Sequence, residues 1–523
     1  MEKRLQWSQQ IFYFSIIALV IGMPLSIFLI SLSQFGLAVS WLLAGNYKQR
    51  LAGYFTGTVG LVFTMFFVMH LVGLSYTTDF KYAFNDIRIK LPLLLLPFFM
   101  ATMPPLSKTK WQSVLSFFVA ACLMGTFICT YIWAGFGTKV ITDARQISIF
   151  ISHIRFALLI CMSIYACIYF IIYSNTKVFY NYMYAVLIIW FVFFLCILQS
   201  FTGLIILSVT LGIYVICFLI HQKRWMYTAT IFLAIITVLI GLGIKIKNDL
   251  DNLNTTKQTT QPLPVYTALG NLYTHERFNG DLENGYPIFV NVAYSELDSA
   301  WQTRSSIDFD SVDARGQWIK YTLLRYMTSK GLLKDANGLM QLSETDIKNI
   351  EAGIASVNQL QGNSISARYH ATLYELNNAW QGGNPSGHSL TMRLLFWKAS
   401  LHIISNHLLF GVGTGDNKLE LDKYYASNTP QLFKQFWLRS HNQFLAIAVS
   451  FGLTGLLIFI TMLLWPATKL NRWSQFLYVT FFITAICSFL TEDTLETQAG
   501  VTFFAFFNTF FLFQNQTPEI NRT

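Results

Sequence analysis

The chain has 523 residues, of which 54% are hydrophobic and only 12% are charged. An ordinary soluble protein carries about 25% charged residues, so this composition excludes that class and favours a protein that crosses a membrane several times. The net charge is +10, but the basic residues occupy short loops between apolar runs and form no patch on a soluble domain, which argues against nucleic-acid binding. All seven cysteines lie in apolar segments, so the pattern predicts neither a disulfide framework nor a cysteine-based metal site.

The apolar runs predict an all-α polytopic membrane protein with about twelve transmembrane helices. The N-terminal MEKRLQWSQQ is basic and precedes an apolar run without a convincing cleavage site, so we expect an uncleaved first span. Two runs, 32–45 and 89–103, are shorter than the roughly 20 residues that a spanning helix needs, and Pro92 and Pro97 predict a kink in the second. The predicted spans are 11–30, 32–45, 54–74, 89–103, 112–134, 151–173, 180–198, 201–220, 226–244, 441–465, 474–490 and 497–514.

The distribution of Lys and Arg predicts the orientation of these spans, because cytoplasmic loops carry an excess of basic residues. Alternate short loops are basic, and the loops between them are mixed or acidic. This places the N-terminus in the cytoplasm and the long polar segment outside. The predicted organisation is therefore transmembrane helices 1–9 in 1–244, a periplasmic loop domain in 245–440, helices 10–12 in 441–514 and a cytoplasmic tail in 515–523.

The predicted loop domain is helical. The spacing of apolar residues over 318–327 is helical, and Ser343 with Asp346 predicts a capping box at the start of another helix. The run 391–410 contains too many polar groups for lipid exposure, so we interpret it as an amphipathic helix on the outer surface. Arg393 falls on its less polar face, where a charge needs a partner or an anionic ligand.

Two residues in this region are the first candidates for chemistry. Arg393 is either an arginine that extends to the membrane interface or a phosphate clamp, because a guanidinium grips phosphate oxygens with two hydrogen bonds. His441, at the polar start of a span, is either a helix-capping histidine or a general base, because imidazole titrates near neutral pH. Arg439 places a further positive charge two residues before it.

Further candidates lie on the same predicted side of the membrane. His153 and Arg155 begin a span that runs inward, and Arg155 has apolar neighbours on both sides, so it needs compensation by a structural ion pair or by a ligand. The acidic loop 492–496 either orients a basic residue, binds the acceptor or is merely solvated. Two Asp-x-Asp pairs, 249–251 and 308–310, are too common by chance to predict a metal site.

Two arginines and a histidine at one membrane face suit a substrate with a lipid anchor and a phosphate head group. The arginines would stabilise a departing diphosphate, and the histidine would take a proton from an incoming hydroxyl. A transporter is the alternative, since it also explains twelve spans. The chain has no internal repeat of the kind common in transporters, and its polar residues gather at one face.

Several motifs carry a resemblance to a known family. Arg393, Trp397 and Ala399 form R-x3-W-x-A, the residues Gly411–Gly415 form GVG-x-G, and an SHNQFL element contains His441. With the terminal TEDTLETQAGVTFFAFFNTFF, these motifs resemble the O-antigen ligase and polymerase superfamily, in particular its Bacteroidetes-type members. The resemblance is most specific over 390–511.

The resemblance implies a GT-C-like, membrane-embedded glycosyltransferase of the bacterial inner membrane that is inverting, metal-independent and without a cofactor. It implies a donor glycan on undecaprenyl diphosphate, held among membrane lipids. In a ligase the acceptor is lipid A–core, and in a polymerase it is another lipid-linked repeat unit. The family's catalytic histidine matches His441, and its diphosphate-binding arginines match Arg393 and Arg155; His153 and Arg439 are further expected substrate contacts.

Overall fold

The computed structural model describes most of the chain. The described residues are 2–136, 144–174, 177–221, 225–254, 263–276, 282–283, 286–314, 316–360, 369, 372–377, 389–429, 432 and 434–514. The predicted tail 515–523 lies outside them. The chain forms two compact units: Met1–Phe218, Trp397–Lys423 and Leu438–Thr523 make the first, and Leu219–Phe396 and Tyr424–Trp437 make the second.

The described residues are predominantly helical. Up to the long polar segment the helices are α1 Glu2–Leu25, α2 Ile27–Ala44, α3 Tyr47–Thr56, α4 Thr58–Val72, α5 Phe80–Lys90, α6 Pro92–Thr102, α7 Lys108–Tyr131, α8 His153–Tyr173, α9 Val178–Ile197, α10 Phe201–His221 and α11 Trp225–Asn254. The later helices are α12 Tyr294–Gln302, α13 Ile319–Ser329, α14 Ala336–Met340, α15 Glu344–Glu351, α16 Ser389–Asn406, α17 Asn417–Asn428, α18 Gln443–Lys469, α19 Phe476–Thr491 and α20 Gln498–Phe513.

Among the described residues, seven helical segments are long and apolar enough to cross a membrane, and three shorter apolar helices accompany them. The predicted class, an all-α polytopic membrane protein, is confirmed. The seven are Glu2–Leu25, Ile27–Ala44, Thr58–Tyr76, Lys108–Phe136, His153–Tyr173, Val178–Ile197 and Gln443–Lys469, and the shorter three are Phe201–Cys217, Phe476–Thr491 and Gln498–Phe513.

The helix breaks follow local chemistry. The apolar run 11–30 was predicted as one span, but α1 ends at Leu25, and the Ser26 side chain caps α2 by accepting a hydrogen bond from Leu29 N at 3.3 Å. Near the predicted kink the chain turns at Leu91, and Pro92 occupies the first turn of α6, where its missing N–H costs no hydrogen bond.

Helix α20 lies at the centre of the first unit. Its residues from Gly500 to Leu512 are all buried, and it packs on α6, α8 and α19. The Trp111 ring of α7 stacks on Phe510, with ring centroids 5.6 Å apart. The acidic loop 492–496, which connects α19 to α20, is therefore fixed at both ends by packed helices.

The glycine-rich segment 411–416 is a packed connection between α16 and α17. Val412 N and Gly413 N donate to the carbonyls of Val449 and Ser450 at 3.0 and 2.9 Å, so the segment pairs with the backbone of α18. Gly411 adopts a positive φ of 67°, and a Cβ there would lie 2.4 Å from Phe451 N. Only glycine allows this close approach.

The second unit contains α11–α15 and a two-stranded antiparallel hairpin, Leu282–Glu283 with Tyr286–Pro287. Helices α12, α13 and α15 bury a core that includes Trp301 and Tyr326. The predicted capping box is present, because Ser343 and Asp346 exchange hydrogen bonds at the start of α15. Residues 245–254, the first part of the predicted loop domain, are instead the last part of α11.

Candidate functional site

His441 lies in the first unit, immediately before α18. Its φ is +46°, a left-handed conformation that non-glycine residues rarely adopt and that is often found at functional sites. The helix cap is the next residue, because Asn442 Oδ1 accepts a hydrogen bond from Leu445 N at 3.1 Å. The helix-capping interpretation of His441 is therefore wrong, and its side chain pairs with a residue outside this helix.

The His441 imidazole pairs with the carboxylate of Glu492. Nδ1 of His441 lies 3.1 Å from Glu492 Oε2. The Glu492 side chain is 4% exposed, whereas the His441 side chain is 26% exposed. With Nδ1 donating its proton to the carboxylate, the lone pair of the neutral ring lies on Nε2. A buried carboxylate thus orients a partly accessible imidazole, as a general base requires.

Arg439 holds the same acidic loop. Its Nε donates to Asp493 Oδ2 at 2.8 Å, and its NH1 lies 3.8 Å from Glu496 Oε2. Burial alone would lower the pKa of Arg439, but Asp493 and Glu496 outweigh that effect and raise it. The guanidinium charge is therefore already balanced by two carboxylates, which makes Arg439 a support for the loop. Its predicted contact with substrate stays a prediction.

The acidic loop is buried. Glu492, Asp493 and Glu496 all have side chains less than a tenth exposed, and each is engaged by a basic residue. The interpretation of 492–496 as a merely solvated loop is therefore wrong. The alternative, that it orients a basic residue, describes the observed contact between Glu492 and His441.

Arg155 lies in the first turn of α8. This helix packs on α19, the helix that leads into the acidic loop, and Tyr173 of α8 contacts Phe476 of α19 with ring centroids 5.8 Å apart.

The Arg155 guanidinium is only partly satisfied. Its NH1 donates to Ser152 Oγ at 3.4 Å, while its Nε is buried without a hydrogen-bond partner in the described part of the chain. Among those same residues it has no acidic partner, which a structural ion pair would require. An incompletely paired arginine in this setting fits an anionic ligand. His153 precedes Arg155 by two residues, is the first residue of α8 and is half-buried.

Arg393 lies in the second unit, one turn into α16, and is half-buried. The start of that helix is anchored by Glu375, whose Oε2 accepts from Leu390 N at 3.3 Å. The polar side chains of Lys398 and His402, on the same helix, are exposed. The structure thus gathers His441 and Arg439 on the acidic loop and holds Arg155 at the start of α8, whereas Arg393 belongs to the other unit.

A cation could in principle be held by His441, Glu492 and Asp493, whose ligand atoms lie within 4.8 Å of one another. However, Glu492 already bonds the imidazole and Asp493 already bonds Arg439, whose positive charge would repel a metal ion. We therefore interpret the three residues as a hydrogen-bonded arrangement that positions the imidazole.

Comparison with known proteins agrees with the motifs. Residues 348–460 match the family model described as O-antigen ligase. This stretch contains Arg393, the GVG-x-G segment and His441, whereas Glu492 and Asp493 lie beyond it. A search of curated proteins found no significant match. The predicted resemblance to the O-antigen ligase superfamily is confirmed over this stretch of the chain.

Proposed function

We propose that this protein transfers a glycan from undecaprenyl diphosphate to a hydroxyl of lipid A–core at the periplasmic face of the bacterial inner membrane. Glycan transfer of the O-antigen ligase type is what the family match supports. The single observation that carries the finer proposal is the His441–Glu492 pair. His441 has a left-handed backbone conformation and a partly exposed ring, and it lies less than one turn before a membrane helix. The carboxylate of Glu492 that pairs with it is buried.

In the proposed reaction His441 Nε2 accepts the proton of the acceptor hydroxyl, and Glu492 stabilises the imidazolium that forms. The acceptor oxygen attacks the anomeric carbon of the donor, and the bond from that carbon to the diphosphate oxygen breaks. The electron pair leaves with the diphosphate. Attack from the opposite side inverts the configuration of the sugar.

The departing diphosphate gains negative charge, which needs cationic hydrogen-bond donors. We assign this task to Arg155 and Arg393. Arg155 Nε supports the first assignment, because it is buried and has no hydrogen-bond partner among the described residues. The second follows from the position of Arg393 within the family match. We give Arg439 the supporting task instead, because Asp493 and Glu496 already balance its charge.

The test is transfer by the purified protein in liposomes, supplied with carrier-linked glycan and lipid A–core but with no ion gradient. We expect a glycan–acceptor product. Absence of product, together with gradient-dependent movement of the glycan, would instead indicate a transporter. A strain lacking the protein separates the two enzyme classes: polymerised chains left unattached indicate a ligase, whereas single repeat units on the surface indicate a polymerase.

A further inference from the structure

A buried ion cluster lies beneath the acidic loop and involves a helix that the proposed reaction does not use. Lys90 is the last residue of α5. Its Nζ donates to both carboxylate oxygens of Asp86 at 2.8 Å and to Glu496 Oε2 at 3.0 Å. All three side chains are less than a tenth exposed. The contact to Glu496 joins residues 406 positions apart in the chain.

Glu496 connects this cluster to the helix that carries His441. Gln443, fully buried at the start of α18, donates from Nε2 to Glu496 Oε1 at 3.2 Å. The same side chain accepts from Leu495 N at 2.7 Å. Gln443 follows His441 by two residues, so one amide holds the acidic loop against the segment that presents the imidazole.

The charges in the cluster depend on one another. Burial alone would raise the pKa of Glu496, but Lys90 and Arg439 outweigh burial and lower it to about 2, so its carboxylate stays ionised. Without Lys90, the carboxylates of Asp86 and Glu496 would share a buried site with one counter-ion fewer. Breaking a buried pair in this way is strongly destabilising, whereas replacing both partners with neutral groups is often tolerated.

The cluster also fixes the geometry of the loop. Glu492 contacts His441 from one end of the loop, and Glu496 contacts Lys90, Gln443 and Arg439 at the other end. The loop is only a few residues long, so a shift at Glu496 moves Glu492. A hydrogen bond of 3.1 Å loses most of its strength when its partners separate by a further ångström.

We propose that Lys90 is a positioning residue for glycan transfer: its ion pair with Glu496 holds the acidic loop so that Glu492 meets His441. This inference rests on the proposed function, because it assigns Lys90 a task only if His441 is the base. Lys90 acts through Glu496 and the loop and does not itself touch the substrate.

The experiment measures kcat and the KM for the carrier-linked donor with Lys90→Met, Glu496→Gln and the double variant, all full-length in liposomes. We expect each single change to lower kcat by about tenfold or more, with the donor KM changed less than about threefold. The double variant should be no worse than the poorer single variant, since residues that act as one unit show non-additive effects.

Arg88 supplies the matched control. It lies on α5 with the same charge, is exposed and bonds only to Asn85 Oδ1, at 2.8 Å, among the contacts described for it. Arg88→Met should leave kcat unchanged, and its effect should add to that of Glu496→Gln. If a single variant fails to fold, the double variant with Asp86→Asn added carries the test, because it removes all three charges of the cluster and leaves no buried carboxylate without its counter-ion.

Two results would overturn the inference: a folded double variant with wild-type kcat, or single effects that simply add. These results are distinguishable from a failure of the proposed function. If His441→Ala keeps full transfer activity, the proposed function fails. If His441→Ala is inactive while the double variant retains wild-type kcat, only the assignment of Lys90 fails.

Discussion

Glu492→Gln is the substitution that most sharply probes the pair with His441. Glu492 is buried and lies 3.1 Å from Nδ1, and glutamine keeps its size while removing its charge. Hydrogen bonds to charged groups contribute about 1.5–3 kcal/mol. If that stabilisation applies fully to the imidazolium in the transition state, kcat falls by roughly tenfold to 150-fold, since about 1.4 kcal/mol corresponds to tenfold.

The assay is steady-state transfer in liposomes over a range of donor concentrations, which gives both kcat and the donor KM. Glu344→Gln is the control, because Glu344 is a largely exposed acid in the second unit. We expect the donor KM of Glu492→Gln to stay near the wild-type value, since the carboxylate acts on the base and not on the diphosphate. Wild-type kcat for Glu492→Gln would refute the reasoning, and so would an equal loss in Glu344→Gln.

Arg155→Lys should lower the rate of glycan transfer by about tenfold or more, because an ammonium group cannot replace the two parallel hydrogen bonds of a guanidinium. Arg88→Lys, at an exposed position, should leave the rate unchanged. Arg393→Lys should lower the transfer rate by a similar factor. Its control is Lys398→Arg, at an exposed position on the same helix, and equal transfer rates in the two variants would contradict the assignment of Arg393 as a phosphate clamp. Chelation with EDTA should leave the transfer rate unchanged, and a loss restored by one added metal would contradict our interpretation of the acidic loop. Burial lowers the pKa of Lys334 to about 8, so the folded state binds that proton less tightly than the unfolded state does. The free energy of unfolding should therefore rise as the pH increases from about 8 to 10.5. Hydrogen exchange over residues 286–340 should record this rise in the wild type and a smaller one in Lys334→Met.

The sequence predicted those parts of the fold that depend on composition and periodicity. Long apolar runs identified the membrane class, and Ser343 with Asp346 identified a helix start. The break after Leu25 was missed because an apolar run does not reveal where Ser26 caps the next helix. The main chain of Val412 and Gly413 pairs with α18, a long-range contact that local spacing does not encode.

The candidate site was predictable only in part. His441 and Arg155 stood out because charged or titratable side chains at the ends of apolar runs need an explanation. The burial of the acidic loop depends on α20 lying at the centre of the bundle, which the sequence does not state. Lys90 was overlooked, although a lysine four residues after Asp86 and directly before an apolar run was the available signal.

The central claim is that His441 is the general base of glycan transfer. The most direct measurement compares His441→Ala with His402→Ala, an exposed histidine on α16, in the same liposome assay with donor and acceptor supplied. We predict that His441→Ala folds, leaves the carrier-linked glycan intact and forms no product, while His402→Ala transfers glycan at the wild-type rate. Product formed by His441→Ala at the wild-type rate would contradict the claim.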